Sequence, residues 1–129
     1  MLTISRRCAE NEDYVKRHLR ERLSKTGQVV VLVGEHTKNL HRFVTWEINL
    51  AKELDLPIIV VNLNDKRAMD GALCPAIPRQ ACAIHVSFEM KIIQFALDKF
   101  TVAFAGFDAA TKAAGPRYYT DEKYREAGL

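Results

Sequence analysis

The sequence predicts an α/β domain built on a small, doubly wound parallel sheet, and three observations carry that prediction. Residues 28–33 (QVVVLV), 57–62 (PIIVVN) and 81–86 (ACAIHV) are apolar runs without polar alternation, the pattern of strands buried on both faces. Helical periodicity lies between the first and second runs and follows the third. Strands joined by helices of that length run parallel through right-handed crossovers. The 129 residues leave room for one core.

Taken in order, residues 10–25 form a surface helix whose Val15, Leu19 and Leu23 recur every four positions, with charges on the other faces. Gly27 suits a left-handed residue closing that helix. The first strand, 28–33, leads into the polar stretch 34–39, where Asn39 is a fair N-cap. The helix over about 40–55 places Phe43, Val44, Ile48, Ala51 and Leu54 at helical spacing. Pro57 opens the second strand, a position at which its missing N–H is tolerated. Residues 64–80 hold Asp-Gly and two prolines and read as a long loop. After the third strand, a helix from about Phe88 to Phe100 buries Ile92, Ile93, Ala96, Leu97 and Phe100. Residues 2–5 offer a short edge strand. Residues 1–100 are thus read as the domain. Residues 101–129, with Phe104, Phe107, Tyr118, Tyr119 and Tyr124, are read as an extension too aromatic for a free linker, docked on it or on a partner. Ligands in such folds sit beyond the carboxyl ends of the strands.

Composition excludes several classes. The formal charge of +3 is spread along the chain, so it points to no nucleic-acid stripe. No apolar run reaches the ~20 residues of a bilayer crossing, and no signal-peptide pattern opens the chain. Cys8, Cys74 and Cys82 are odd in number and irregularly spaced, which predicts reduced thiols in a cytoplasm.

The stretch from Val29 to Asn64 carries a recognisable order of motifs. Leu32-Val33-Gly34-Glu35-His36-Thr37 is a strand ending in a small polar turn. Phe43-Val44-Thr45-Trp46-Glu47-Ile48 is an aromatic-Val-x-x-Glu-Ile helix, and Pro57-Ile58-Ile59-Val60-Val61 is the strand after it. This order resembles the Toll/interleukin-1 receptor (TIR) domains, and among them the TIR-like proteins of bacterial Thoeris anti-phage systems. The resemblance covers roughly residues 12–100. It implies a flavodoxin-like doubly wound sheet. The family's opening strand, helix, second strand and nucleotide loop do not precede Glu10, so a sheet lacking its N-terminal strand is expected.

The resemblance further implies cleavage of NAD+ at the nicotinamide–ribose bond, giving ADP-ribose or a cyclised isomer as a signal in anti-phage defence. NAD+ is then a substrate, and no permanently bound cofactor is expected. By motif, Glu47 is the family's catalytic glutamate. Its chemistry suits one carboxylate, because bond cleavage develops an oxocarbenium-like charge on the ribose. Nicotinamide departs neutral from a cationic ring, so a general acid is dispensable. No Lys or Arg at the three- or four-residue spacings would pair it as a surface glutamate, yet read from pattern alone Glu47 is a solvated glutamate on the helix's polar side, and the resemblance turns that reading toward catalysis. Gly34, Glu35 and Thr37 at the first strand's end, Trp46, and Asn62 at the second strand's end are the nucleotide-binding candidates. As alternatives, Gly34 and Thr37 are turn residues, Glu35 is a surface charge, Trp46 anchors a core or an interface, and Asn62 and Asn64 bond within a loop.

No metal is expected, since His36 and His41 with Glu35 match neither a helical pair nor a zinc knuckle. Cys82 and His85 differ by an odd number on one strand and point to opposite faces. No Gly-rich phosphate loop is present. TIR domains self-associate, which implies a homo-oligomer and a downstream effector protein as partners. A non-catalytic module acting by self-association is the alternative function, and an unrelated nucleoside-processing enzyme of flavodoxin-like fold a third.

Overall fold

A computed structural model of the chain describes residues 12–34, 41–67 and 81–129. The three apolar runs become β1 (Val29–Val33), β2 (Ile58–Asn62) and β3 (Ala83–Ser87). They pair in parallel and in chain order, Val29 opposite Ile58 and Ile58 opposite Ala83. Every residue of β2 and β3 is buried, as a strand covered on both sides requires.

Two apolar layers cover the sheet. On one face, Leu19 and Leu23 of α1 (Glu12–Leu23) and Ile48, Leu50 and Ala51 of α2 (His41–Glu53) pack on Val29, Val31, Val33, Ile58 and Val60. On the other, Ile92, Ala96, Phe100 and Phe104 of α3 (Met90–Ala105) pack on Ile59, Val61, Ile84 and Val86. The doubly wound α/β architecture is therefore present. Residues 2–5, the 34–39 turn beyond Gly34, and the 68–80 part of the loop lie outside the described residues.

Three expectations are corrected. Gly27 does not take the left-handed conformation, since Gly115 and Gly128 alone among the described glycines have positive φ. The helix ends earlier, at Leu23, where Thr26 Oγ1 donates to the Leu23 carbonyl at 2.9 Å and Ser24 Oγ to that of Glu21 at 2.8 Å. The left-handed closing residue occurs instead after α2, at Asp55 (φ 57°), with Leu56 N–H donating to the Ala51 carbonyl at 2.8 Å.

The second correction concerns α3, which continues five residues past Phe100, because Phe104 extends the Ile92–Ala96–Phe100 stripe. The boundary drawn at residue 100 thus falls inside a helix. The third is a fourth strand, β4 (Arg117–Tyr118), parallel to β3. It lies between α4 (Ala109–Lys112) and α5 (Asp121–Glu126), whose N-caps Asp108 and Thr120 each accept from a backbone N–H three residues on. Tyr124 of α5 is fully buried, and its hydroxyl accepts from the Ser87 N–H at 3.2 Å.

Candidate functional site

α2 buries Ile48, Leu50 and Ala51 and leaves Asn49 exposed. Glu47 stands at the margin of that apolar stripe, half-buried, over the start of β1. It lines a cavity of about 430 Å³ with Arg22 and Thr26 at the end of α1, and with Gln28, Val29 and Val30. Its carboxylate has no hydrogen-bond or ion-pair partner among the described residues. Burial is the largest influence and pushes the carboxyl up from 4.5 to about 7. A carboxyl half-ionised near neutral pH is suited to taking or sharing a proton, and perturbed groups of this kind cluster at functional sites.

Trp46, although adjacent, faces elsewhere. It lines a cleft of about 320 Å³ between α1 and α2 with Arg17, Arg20 and Glu53. Lys16 sits 4.8 Å above its ring, and Arg20 pairs with Glu53 at 2.8 Å. That is the setting of a packing or interface tryptophan.

Gly34 and Asn62 meet at the carboxyl end of the sheet, where Val33 registers with Asn62. A Cβ on Gly34 would come within 3.0 Å of Leu63 Cδ1, so the glycine permits a close approach there. Asn62 is buried, and its Nδ2 donates to the Lys66 carbonyl at 2.9 Å, while the Lys66 N–H donates to Asn64 Oδ1 at 3.3 Å. Both asparagines thus bond within their loop. Val30 and Gly34 are four residue steps apart along the strand direction, a rise of roughly 13 Å. The described residues therefore do not gather Glu47, Gly34, Trp46 and Asn62 into one pocket. Glu35 and Thr37 lie outside the described residues, as do His36 and the side chain of His41.

Sequence reading missed Arg22 and Gln28, which share the Glu47 cavity. Arg22 was one more charge on the polar side of α1, and only the fold brings it to α2. Cys82 belongs to the layer under α3, whereas His85 alternates away from it and its ring lies 5.5 Å from that of Tyr118, so the two face opposite sides. Among the described residues, no group of three or more side chains is arranged to hold a metal ion. None of the described helices is long and apolar enough to cross a membrane.

Residues 3–68, just over half of the chain, match the family model described as Thoeris protein ThsB, TIR-like domain. The match contains the turn after β1 and all of α2, begins ahead of the described residues, and ends before β3. No curated protein compared with the chain matches it.

Proposed function

The chain belongs to the TIR-like domain family of the Thoeris protein ThsB, and on that premise we propose that it cleaves NAD+ at the nicotinamide–ribose bond in anti-phage defence. The observation that carries the reading is Glu47: a half-buried carboxyl at the motif's glutamate position, without an ion-pair partner among the described residues, raised to about 7 and lining a cavity.

The chemistry follows from that carboxyl. As the bond from ribose C1′ to the pyridinium nitrogen breaks, its electron pair returns to the ring and neutralises it. Positive charge spreads over C1′ and the ring oxygen, and the Glu47 carboxylate stabilises it or holds a ribose hydroxyl. Water attack at C1′ gives ADP-ribose; attack by a nitrogen of the same molecule's adenine gives a cyclic isomer. Arg22 makes no ion pair among the described residues and would meet the pyrophosphate from the same cavity. Gly34, Glu35, Thr37 and Asn62 are proposed to meet the nucleotide at the carboxyl edge, as the crevice rule for such sheets suggests.

Incubation with NAD+ and chromatography for released nicotinamide tests the reading. Glu47→Gln should slow release about a hundredfold or more, the effect of losing one preorganised electrostatic group. In the unsubstituted protein, the rate should climb with pH through about 7 as the carboxylate forms. Equal release by both forms would remove Glu47 from the reaction.

A second reading, self-association without catalysis, is supported by Leu63, Phe88 and Met90. These exposed apolar side chains follow the paired strand ends Asn62 and Ser87. It predicts no nicotinamide release from either form, with concentration-dependent assembly in light scattering.

A further inference from the structure

The other end of the sheet carries a second cleft, of about 550 Å³, that the NAD+ reading does not use. It is bounded by α3, β4 and α5, open to solvent on one side, and within the size range of small-molecule sites. Its walls are aromatic. Phe95 and Tyr119 meet edge to face at 5.3 Å, and Phe100 and Phe107 at 6.1 Å. The Tyr119 hydroxyl is shielded from solvent and has no hydrogen-bond partner among the described residues. Burial pushes that phenol up to about 12, so it remains a neutral donor.

The charges at the cleft are unequal. Lys99, Arg117 and Lys123 line it against one acid, Glu126, and Glu126 is already paired with Lys123 at 3.2 Å. Lys99 and Arg117 have no carboxylate partner among the described residues, and the Arg117 guanidinium lies 4.8 Å from the Phe107 ring. Two cations without a carboxylate partner among the described residues, beside aromatic side chains, complement a planar ring that carries phosphate. We infer that the cleft between α3, β4 and α5 is a binding site for a nucleoside phosphate, separate from the Glu47 cavity.

Aromatic faces accept a base by stacking without demanding one particular base, while the two cations hold the phosphate oxygens. The site lies beside β3 and β4, whereas Glu47 lies beside β1. The inference therefore stands whether or not the chain turns over NAD+.

Titration calorimetry of the full chain with ADP tests it, with inorganic phosphate as the second arm. ADP should bind saturably. The exposed double variant Lys99→Gln/Arg117→Gln, checked for an unchanged circular dichroism spectrum, should bind at least about tenfold more weakly, the loss of one charge-assisted contact. Tyr119→Phe, which removes only the hydroxyl, should weaken ADP by a smaller factor. Inorganic phosphate should bind far more weakly than ADP, since it cannot stack. Equal binding of ADP to the unsubstituted protein and the double variant would overturn the assignment. So would the absence of saturable binding, or phosphate binding as tight as ADP.

Discussion

The two ends of the sheet are finished in different ways. At the β4 end the chain closes over β3 with aromatic rings. Tyr124 is fully buried in the layer that holds Ile84 and Val86, its hydroxyl accepts from the Ser87 N–H, and the rings of Phe100, Phe104 and Phe107 meet tilted or edge to face with centres about 6 Å apart. At the β1 end burial alternates, with Val30 and Leu32 only partly covered, and a carboxyl with no ion-pair partner among the described residues sits half-buried beside the strand. At the β4 end, even beside the cleft, the layer around Tyr124 is closed by packing. The other end keeps a group that burial penalises, which is where function is expected to have overruled stability. Substitutions at the two ends should accordingly move stability in opposite directions.

The largest effect is expected at Tyr124. Tyr124→Ala removes a side chain with no solvent exposure and should cost about 4 kcal/mol in denaturant unfolding, in the range for large aromatic deletions. Tyr124→Phe keeps the ring and loses one hydrogen bond, a cost of about 1 kcal/mol. An unmoved midpoint in Tyr124→Ala would mean that α5 is not part of the core, and the contrast between the ends would fail.

At the other end, Glu47→Gln should stabilise. The sequence alone predicts a neutral outcome, because no ion-pair partner is lost; burial changes that expectation. The folded carboxyl titrates near 7 and the unfolded one near 4.5, so the folded state binds the proton more tightly. Stability of the unsubstituted protein therefore falls as pH rises from about 4.5 to about 7, and the penalty is complete above that. Glutamine has no such titration. Its advantage should be absent at pH 4 and reach at most about 3 kcal/mol at pH 8, from 1.36 kcal/mol per unit. Parallel urea titrations at the two pH values measure it. A variant less stable than the parent at pH 8 would show that the carboxylate has a favourable partner.

The same contrast marks what was legible in the sequence. The strands were readable because β2 and β3 are buried on both faces, and a run such as PIIVV admits few other fates. The end of α3 was readable in principle, since Phe104 completes the four-residue stripe that begins at Ile92. Arg117–Tyr118 was not. Two exposed residues after Gly-Pro carry no period, and only pairing with Ile84 and His85 makes them a strand. For the candidate site, the Glu-Ile motif marks Glu47, but periodicity could not show its burial. That depends on where the end of α1 and Gln28 fall in space, and the same placement brings Arg22 into the cavity.

The smallest effect is expected where the two halves are tied together. Lys112 of α4 reaches back to the turn after α2, its Nζ 2.8 Å from both Asp55 oxygens and 4.6 Å from the centre of the Phe104 ring. Exposed pairs contribute little, because solvent screens the charges and two long side chains must be held still. This one is better placed than most. The Lys112 side chain is 24% exposed, and its partner is fixed on a left-handed turn residue. The aromatic face adds an attraction that does not need the carboxylate. Lys112→Ala should therefore cost about 1 kcal/mol. Asp55→Asn should cost less, since it leaves the ammonium over Phe104 and keeps a side chain that tolerates positive φ. Raising the salt concentration should shrink the Asp55 effect further and leave most of the Lys112 effect, because screening weakens the ion pair and spares the ring contact. Equal losses in the two variants, both abolished by salt, would assign the whole contribution to the ion pair and none to the ring.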